Sequence, residues 1–443
     1  MDFKTVDELL KYTENIKGKT FRELDKDNLL QKNKKDKGNF GKIIETGFYG
    51  YPNNNKAEAD FNDLGIELKV SGYIKNKNGT VSAKERLVLS KIDYNSIVKE
   101  EFNYSKLLFK NKKILIIWYE YDKEKDMSDF VITDYQLYDM SGDEIVIKND
   151  FEIIKEKVLE GYAHLLSEGD TSYLGACTKG ATSDDKTKQP FSSIPAKPRA
   201  FSLKNSYMTG ILRSLDLTFT VDNLEYKTID EYVYAQVKKF IGKTQIEIYF
   251  ALSGIEYKND IPKNLGKMIS DKAIGKDKEL PEKNDLFRKT NYIIKNLPVD
   301  NNDYPLERMS FRNLTLSDFK DEWEDSWWKT YFEEVTIIVL CYEGSSKIRN
   351  GFRKLKDIKK ITFNSDDIDV FGRTYNMVKQ SIDNKDITKL PYPNTFSGQI
   401  LEVAPKGIKG DNAYINLFKN DITKVCFMIS KDFIFNKTNI NSL

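Results

Sequence analysis

The sequence predicts a mixed α/β protein made of two tandem copies of one domain, each with a mixed sheet, the second copy degenerate. Three observations predict it. Short alternating or apolar stretches lie between amphipathic ones, the pattern of strands interleaved with helices. At 443 residues the chain is long enough for two or three domains with full cores. Five motifs recur in unchanged order at separations of about 223 to 227 residues, which chance matches do not do. Thr5-Val-Asp-Glu returns as Thr228-Ile-Asp-Glu, Gly18-Lys-Thr as Gly242-Lys-Thr, and Asn39-Phe-Gly-Lys-Ile-Ile as Asn264-Leu-Gly-Lys-Met-Ile. Ile116-Ile-Trp-Tyr-Glu is echoed by Val339-Leu-Cys-Tyr-Glu, and Leu174 to Gly180 by Leu401 to Gly407. The copies are set at residues 1–219 and 220–443.

In the first copy, residues 5–16 predict a short amphipathic helix capped by Thr5, with Glu8 three positions on. Residues 39–45 predict another helix, which turns Glu45 towards a site opened by Asp60. A strand over 65–74 follows, then a polar turn from Asn76 to Gly79 and an apolar segment from Arg86 to Ile92. A helix from about Asn95 to Phe109 leads to the buried strand Ile114 to Tyr119. Phe130 to Tyr138 is a further strand, and a long helix from Asp150 to Leu166 closes this part. Residues 167–213 change character. They are small, polar and glycine-punctuated as far as Ala181, loop-like from Thr182 to Gln189, and basic with interleaved Phe201 and Tyr207 from Ala196 onward. That last mixture suits phosphate contacts combined with aromatic packing.

Composition narrows the chemistry. Net charge is only +2, so nothing global demands a polyanion, although a balanced total hides local basic faces. Cys177, Cys341 and Cys426 are far apart and odd in number. They make neither a metal-ligand spacing nor a disulfide framework, which fits a reducing compartment. The first residues lack a signal-peptide apolar core, and the longest apolar run, Ile114 to Tyr119, is far too short to span a bilayer. A cytoplasmic protein without a membrane partner is expected. The one histidine, His164, falls in the predicted helix as a structural residue, which excludes histidine-based metal sites and Ser-His-Asp triads. Catalysis must then run on carboxylates, lysines and a bound ion.

The stretch Asp60-Phe-Asn-Asp-Leu-Gly-Ile-Glu-Leu-Lys carries that chemistry. Apolar and charged residues alternate from Ile66 to Val70, so Glu67 and Lys69 share one face while Ile66, Leu68 and Val70 anchor the other. Asp60 brings a second carboxylate, and two carboxylates suit a hard divalent ion such as Mg2+. A neighbouring lysine orients or helps deprotonate a water attacking a phosphate. Carried into the second copy, Lys69 falls on Lys295, but Glu67 falls on Ile293 and Glu45 on Ser270. Asp60 falls on Leu286, beside Asp285. An isoleucine binds no metal, so the second copy is expected to be unable to cleave. Lys179 has its counterpart in Lys406, and Phe201 and Lys204 have rough ones in Phe427 and Lys431, so DNA-contacting loops are expected to persist.

Together these residues resemble the MutH-like endonuclease family. Asp60-x6-Glu67-x-Lys69 is similar to its active-site segment and Gly41-Lys-Ile-Ile-Glu45 to its upstream acidic helix. The two-domain, Sau-type restriction branch is closer still. Its pattern is recognisable in Lys84-Glu-Arg-Leu-Val-Leu89, Leu166-Ser-Glu-Gly-x-Thr-Ser-Tyr-Leu174, Cys177-Thr-Lys-Gly-Ala181 and Arg199-Ala-Phe-Ser-Leu-Lys204, and in Asp321-Glu-Trp-Glu-Asp325 of the second half.

The resemblance implies a PD-(D/E)xK restriction-endonuclease-like core. It implies that Asp60, Glu67 and the backbone carbonyl of Leu68 ligate Mg2+, with Glu45 as the third acidic residue and Lys69 positioning the water. It also implies base reading in the major groove by Lys179, on the loop of Thr178 and Gly180. Tyr173, Arg199, Phe201, Ser202 and Lys204 are expected to face DNA, and Lys406 to do so in the second copy. A further family lysine near the strand at 114–119 falls on Lys112 or Lys113. Cys177 stands two residues before Lys179, as in the restriction branch, where MutH-type proteins carry arginine. The expected function is a Mg2+-dependent type II restriction endonuclease that cuts double-stranded DNA at GATC. The first copy cuts, and the second binds another site as an effector, with the chain acting as a monomer or transient dimer. A methyl-directed mismatch-repair nicking enzyme and a catalytically inactive DNA-binding protein are the alternatives.

Overall fold

The computed structural model describes residues 2–32, 38–51, 58–76, 79–180, 185–213, 228–258, 260–274, 289–345, 347–393, 400–406 and 424–440. The chain divides into two compact units. The first is Met1–Leu166 with Asp170–Glu225 and Arg288–Thr290; the second is Ser167–Gly169 with Tyr226–Phe287 and Asn291–Leu443. The expected junction at residue 219, and the expected Asp60 counterpart at Asp285 and Leu286, lie outside the described residues.

The first unit has strands β1 (Ile66–Lys75), β2 (Val81–Ala83), β3 (Leu87–Lys91), β4 (Lys113–Glu120), β5 (Ile132–Asp139), β6 (Leu174–Thr178), β7 (Thr187–Gln189), β8 (Ser192–Ala196) and β9 (Arg199–Leu203). They form a mixed sheet β2-β1-β4-β5, an antiparallel sheet β3-β9-β6 and a pair β7-β8. β1 and β4 are parallel, from Ile66 opposite Lys113 to Tyr73 opposite Glu120. β4 is apolar and buried from Ile114 to Tyr119, as a strand covered on both faces must be. On one face Ile66 and Leu68 join Leu115, Ile117 and Tyr119 in a core with Phe21, Phe40 and Phe130. The helix Val6–Thr13 starts at the expected capping box, Thr5 accepting from the Glu8 amide at 3.2 Å and Glu8 accepting from the Thr5 amide at 3.3 Å. The helix Asn39–Ile43 runs into a π-type turn, Ile44–Phe48, that carries Glu45.

Two expected helices differ. The segment from Asn95 to Phe109 breaks into Tyr94–Ile97, a one-turn helix Phe102–Tyr104 and Lys106–Asn111. Ser105 is the reason: its hydroxyl caps the Leu108 amide at 3.2 Å, an N-terminal start signal inside the expected helix. The long helix is Glu144–Leu159, not Asp150 to Leu166. Gly161, at φ 79°, turns the chain where an added Cβ would lie 2.6 Å from the Phe191 carbonyl oxygen. His164 therefore sits in the following one-turn helix Ala163–Leu165, with Nδ1 3.1 Å from Gln189 Nε2.

The second unit has β10 (Tyr292–Val299), β11 (Met309–Asn313), β12 (Thr336–Glu343), β13 (Leu355–Ile361), β14 (Leu401–Pro405) and β15 (Val425–Ile429), in sheets β10-β12-β13 and β11-β15-β14. Its registers match those of the first unit. Lys69 lies opposite Ile116 and Lys295 opposite Val339; Ala176 lies opposite Phe201 and Val403 opposite Phe427. The Gly18 amide donates to the Ile132 carbonyl at 2.8 Å, and the Gly242 amide to the Leu355 carbonyl at 2.8 Å. One expected correspondence is corrected. Leu203 pairs with Leu174 as Ile429 pairs with Leu401, which puts Ser430, not Lys431, at the place of Lys204. No helix among the described residues is long and apolar enough to cross a membrane.

Candidate active site

The alternation of β1 decides which side chains meet. Ile66 and Leu68 point into the core, leaving Glu67 and Lys69 on the other face. Glu67 is 1% exposed. Its Oε1 takes the Lys69 ammonium at 2.6 Å and the Lys110 ammonium at 3.4 Å, while Oε2 is buried without a hydrogen-bond partner. Asp60 is brought back to the strand by the one-turn helix Asn62–Leu64 and by Gly65 at φ 63°. Its Oδ2 accepts the Leu68 amide at 2.9 Å.

Burial pushes the Glu67 carboxyl up, the Lys69 ammonium pulls it back, and the Asp60 carboxylate pushes it up again. Burial also raises the Glu45 carboxyl, and Asp60 adds to the rise. Glu45, Asp60 and Glu67 therefore feel one another across the site. Among the described residues no three Asp, Glu, His or Cys side chains close into a ready metal cage. The donor set nonetheless suits a hard divalent cation. It offers carboxylate oxygens alone, one of them orphaned and buried, in mutual repulsion that a cation would relieve.

Lys110 is absent from the sequence-based set, and it, rather than Lys112 or Lys113, is the lysine of that segment that meets Glu67. Lys113 opens β4 opposite Ile66, and Lys112 caps the preceding helix in solvent. Lys110 follows the buried Leu107 by three positions on the helix Lys106–Asn111 and so shares its inward side. That spacing is the signal available in the sequence, hidden by reading one long helix there.

The expected DNA-facing residues divide. Thr178 and Lys179 are exposed and Gly180 half-buried. Lys179 and Gly180 line an open cleft of about 620 Å³ with Lys91, Asp185 and Lys186. Tyr173, Arg199, Phe201, Ser202 and Lys204 do not reach that surface. All five are buried; Arg199, Phe201 and Ser202 lie on β9, the central strand of its sheet with both faces covered, and Tyr173 and Lys204 lie beside it. The Arg199 guanidinium donates to the Ala176 carbonyl at 2.5 Å and to the Leu166 carbonyl, and the Lys204 ammonium to the Thr171 carbonyl. Phe201 stacks on Phe151, with centroids 5.6 Å apart, and Tyr173 on Tyr207 at 4.2 Å. In this structure all five pack inside the first unit and not on its surface.

In the second unit the same strand has lost the acidic chemistry. Ile293 stands opposite Ile337 where Glu67 stands opposite Ile114. The Ser270 hydroxyl, expected at the place of Glu45, donates to the Gly266 carbonyl at 3.0 Å and accepts from Asn296 Nδ2 at 3.1 Å. The Lys295 ammonium donates to the Ser310 carbonyl at 2.6 Å, and burial with the nearby Lys406 pushes its pKa down to about 8. Lys406 itself donates to the Phe311 carbonyl at 2.6 Å.

Comparison with known proteins gives two findings. The family model described as DNA mismatch repair enzyme MutH matches residues 49–150, which include Asp60, Glu67, Lys69 and Lys110. The type II restriction enzyme Sau3AI of Staphylococcus aureus is 33% identical over 361 residues, spanning 76% of this chain and 72% of that enzyme.

Proposed function

The chain belongs to the MutH-like type II restriction endonucleases, and on that premise we propose that it cuts double-stranded DNA at GATC with Mg2+, its first unit cleaving and its second binding a further DNA site as an effector. That it is a nuclease with a PD-(D/E)xK fold acting on DNA follows from the family. The observation that supports the finer reading is the asymmetry between two strands of equal register. β1 carries Glu67 and Lys69, and β10 carries Ile293 and Lys295.

Asp60, Glu67 and Glu45 would hold the cation, with the Leu68 carbonyl as the family resemblance implies. When bound, Mg2+ supplies Lewis-acid stabilisation of phosphate charge and a more acidic water. Lys69 and Lys110 counter the upward push that burial gives the Glu67 carboxyl. They grip Oε1 and leave Oε2 for the cation. Lys69 is the residue to orient the attacking water, and its charge offsets the negative charge that builds on the phosphate. Lys179, on an exposed loop beside Lys91 and Lys186, is the residue to enter the major groove and donate to guanine O6 and N7.

The test is cleavage of a GATC plasmid by wild type, Glu67→Ala and Lys69→Ala in Mg2+, followed by sequencing of the fragment ends. Wild type should linearise the plasmid with every end at GATC. Each variant should lose about 10³-fold or more in rate. A variant that still linearised the plasmid at a comparable rate would remove these residues from the chemistry, and ends scattered away from GATC would remove the sequence assignment.

A further inference from the structure

The second unit replaces an aromatic cluster of the first with a polar cleft. In the first unit the Phe21 amide meets the Phe130 carbonyl at 3.4 Å, and in the second the Gln245 amide meets the Arg353 carbonyl at 3.1 Å. Gly72 lies opposite Tyr119, and Pro298 opposite Tyr342. Gln245, Arg353 and Tyr342 thus stand where Phe21, Phe130 and Tyr119 stand. In the first unit these rings close on each other and on Phe40, with centroids 5.3 Å apart for Phe21 and Tyr119 and 5.6 Å for Tyr119 and Phe130. In the second unit the place is a cleft of about 400 Å³, within the ~300–1,000 Å³ typical of ligand sites.

Two buried donors in this cleft have no partner. The Tyr342 hydroxyl belongs to a side chain only 2% exposed, and the Arg353 Nε is buried as well. A buried donor left without a partner destabilises a fold, and neither group is covered by the ring packing of the first unit, so fold maintenance does not explain them. A ligand that accepts hydrogen bonds would.

The cleft's other walls specify which ligand. Lys263, Lys267 and Arg353 line the cleft with one acid, Glu307, and the Lys267 ammonium is also paired with Asp271. Gly266 and Lys267 belong to the first turn of the helix Leu265–Ala273, whose cap residue Asn264 also lines the cleft and makes no side-chain cap bond. The Leu265 amide is taken by the Pro262 carbonyl at 3.1 Å, and the following first-turn amides of Gly266 and Lys267, with flanking cations, are a setting for a tetrahedral oxyanion.

We propose that this cleft binds a phosphate group, at the N-terminus of the helix Leu265–Ala273 and against Arg353 and Tyr342. It uses none of the residues of the cutting site and does not rest on the GATC reading. The phosphate has two possible sources, a small phosphorylated molecule or a DNA backbone.

Isothermal titration on the full chain separates them, with three probes in chloride buffer: inorganic phosphate, a nucleoside monophosphate, and a short duplex lacking GATC. Three variants are compared with wild type: Arg353→Gln, Tyr342→Phe, and the double variant Gln245→Phe/Arg353→Phe, which restores the first unit's aromatic packing and so retains a folded unit. Saturable binding of phosphate or the monophosphate should weaken about tenfold or more in Arg353→Gln and vanish in the double variant. That result supports a small-molecule source. Duplex binding that falls in the same variants, without binding of either small probe, supports the backbone as source. Failure of all three probes to bind saturably, or binding untouched in the double variant, overturns the proposal.

Discussion

Glu67 is a carboxylate that its surroundings both oppose and hold in place. Burial favours its protonated form, and Lys69 and Lys110 counter it. Removing Lys110 takes away one of the two opposing charges, so the Glu67 carboxyl should rise further. The reactive form is the carboxylate, lost as pH falls through its pKa, so the acid limb of kcat/KM for Lys110→Met should move to higher pH, with the rate falling about 10- to 100-fold. A pH–rate profile that superimposes on wild type would take Lys110 out of the site. Lys204 makes the opposite case. Its ammonium is buried and donates to the Thr171 carbonyl near Asp150, which accepts the Ser172, Tyr173 and Leu174 amides at 2.8, 2.6 and 2.9 Å. Lys204→Ala should cost about 3 kcal/mol in denaturant unfolding, since it strips a buried carboxylate of its cation. Unchanged stability with lost DNA binding would restore the surface role instead. Glu67 and Lys69 were legible in the sequence because strand period sets them on one face. Lys204 and Arg199 were not, because charge suggests surface and nothing local announces that backbone carbonyls will satisfy them.

At the scale of the element, β1 and β10 show what one strand does with and without its acid. β4 and β12 were readable as buried strands from their apolar runs, and the register between them and β1 or β10 followed the repeat. The burial of β9 was not readable, since its place in the middle of a sheet is a tertiary fact. On β10, Lys295 keeps its ammonium without a carboxylate beside it; its hydrogen bond goes to a main-chain carbonyl. Its pKa of about 8, against an ordinary 10.5, means that the charged form weakens the fold. Lys295→Met should therefore stabilise the protein at pH 7, by roughly 1 kcal/mol once the lost hydrogen bond is counted. Below pH 8 the lysine is charged in both states and the penalty is complete. Between pH 8 and 10.5 the folded lysine is neutral while the unfolded one still binds its proton, so wild type gains stability as pH rises. The advantage of the methionine variant should shrink across that window. Urea unfolding at several pH values checks it, and an advantage that grew with pH would refute the assignment of burial as the cause.

For the whole molecule, the consequence of two units of which only the first carries the acidic set is a dependence on how many DNA sites a substrate offers. Net charge is only +2, so binding must rely on local basic features such as Lys91, Lys179 and Lys186 rather than on a global field. If the second unit engages a further GATC site, a plasmid with two sites holds the second at millimolar effective concentration, far above what a dilute separate molecule provides. Cleavage of the two-site plasmid should then exceed that of a one-site plasmid by about tenfold or more at low enzyme concentration. Adding a short GATC duplex in trans should rescue the one-site plasmid. Both effects should fade as salt rises, because each phosphate contact releases counterions and the affinity of two weak engagements falls faster than that of one. The measurement is the initial rate on matched plasmids at two salt concentrations. Equal rates on one and two sites, with no rescue by added duplex, would mean that the second unit serves the fold or the phosphate cleft and not a second recognition event.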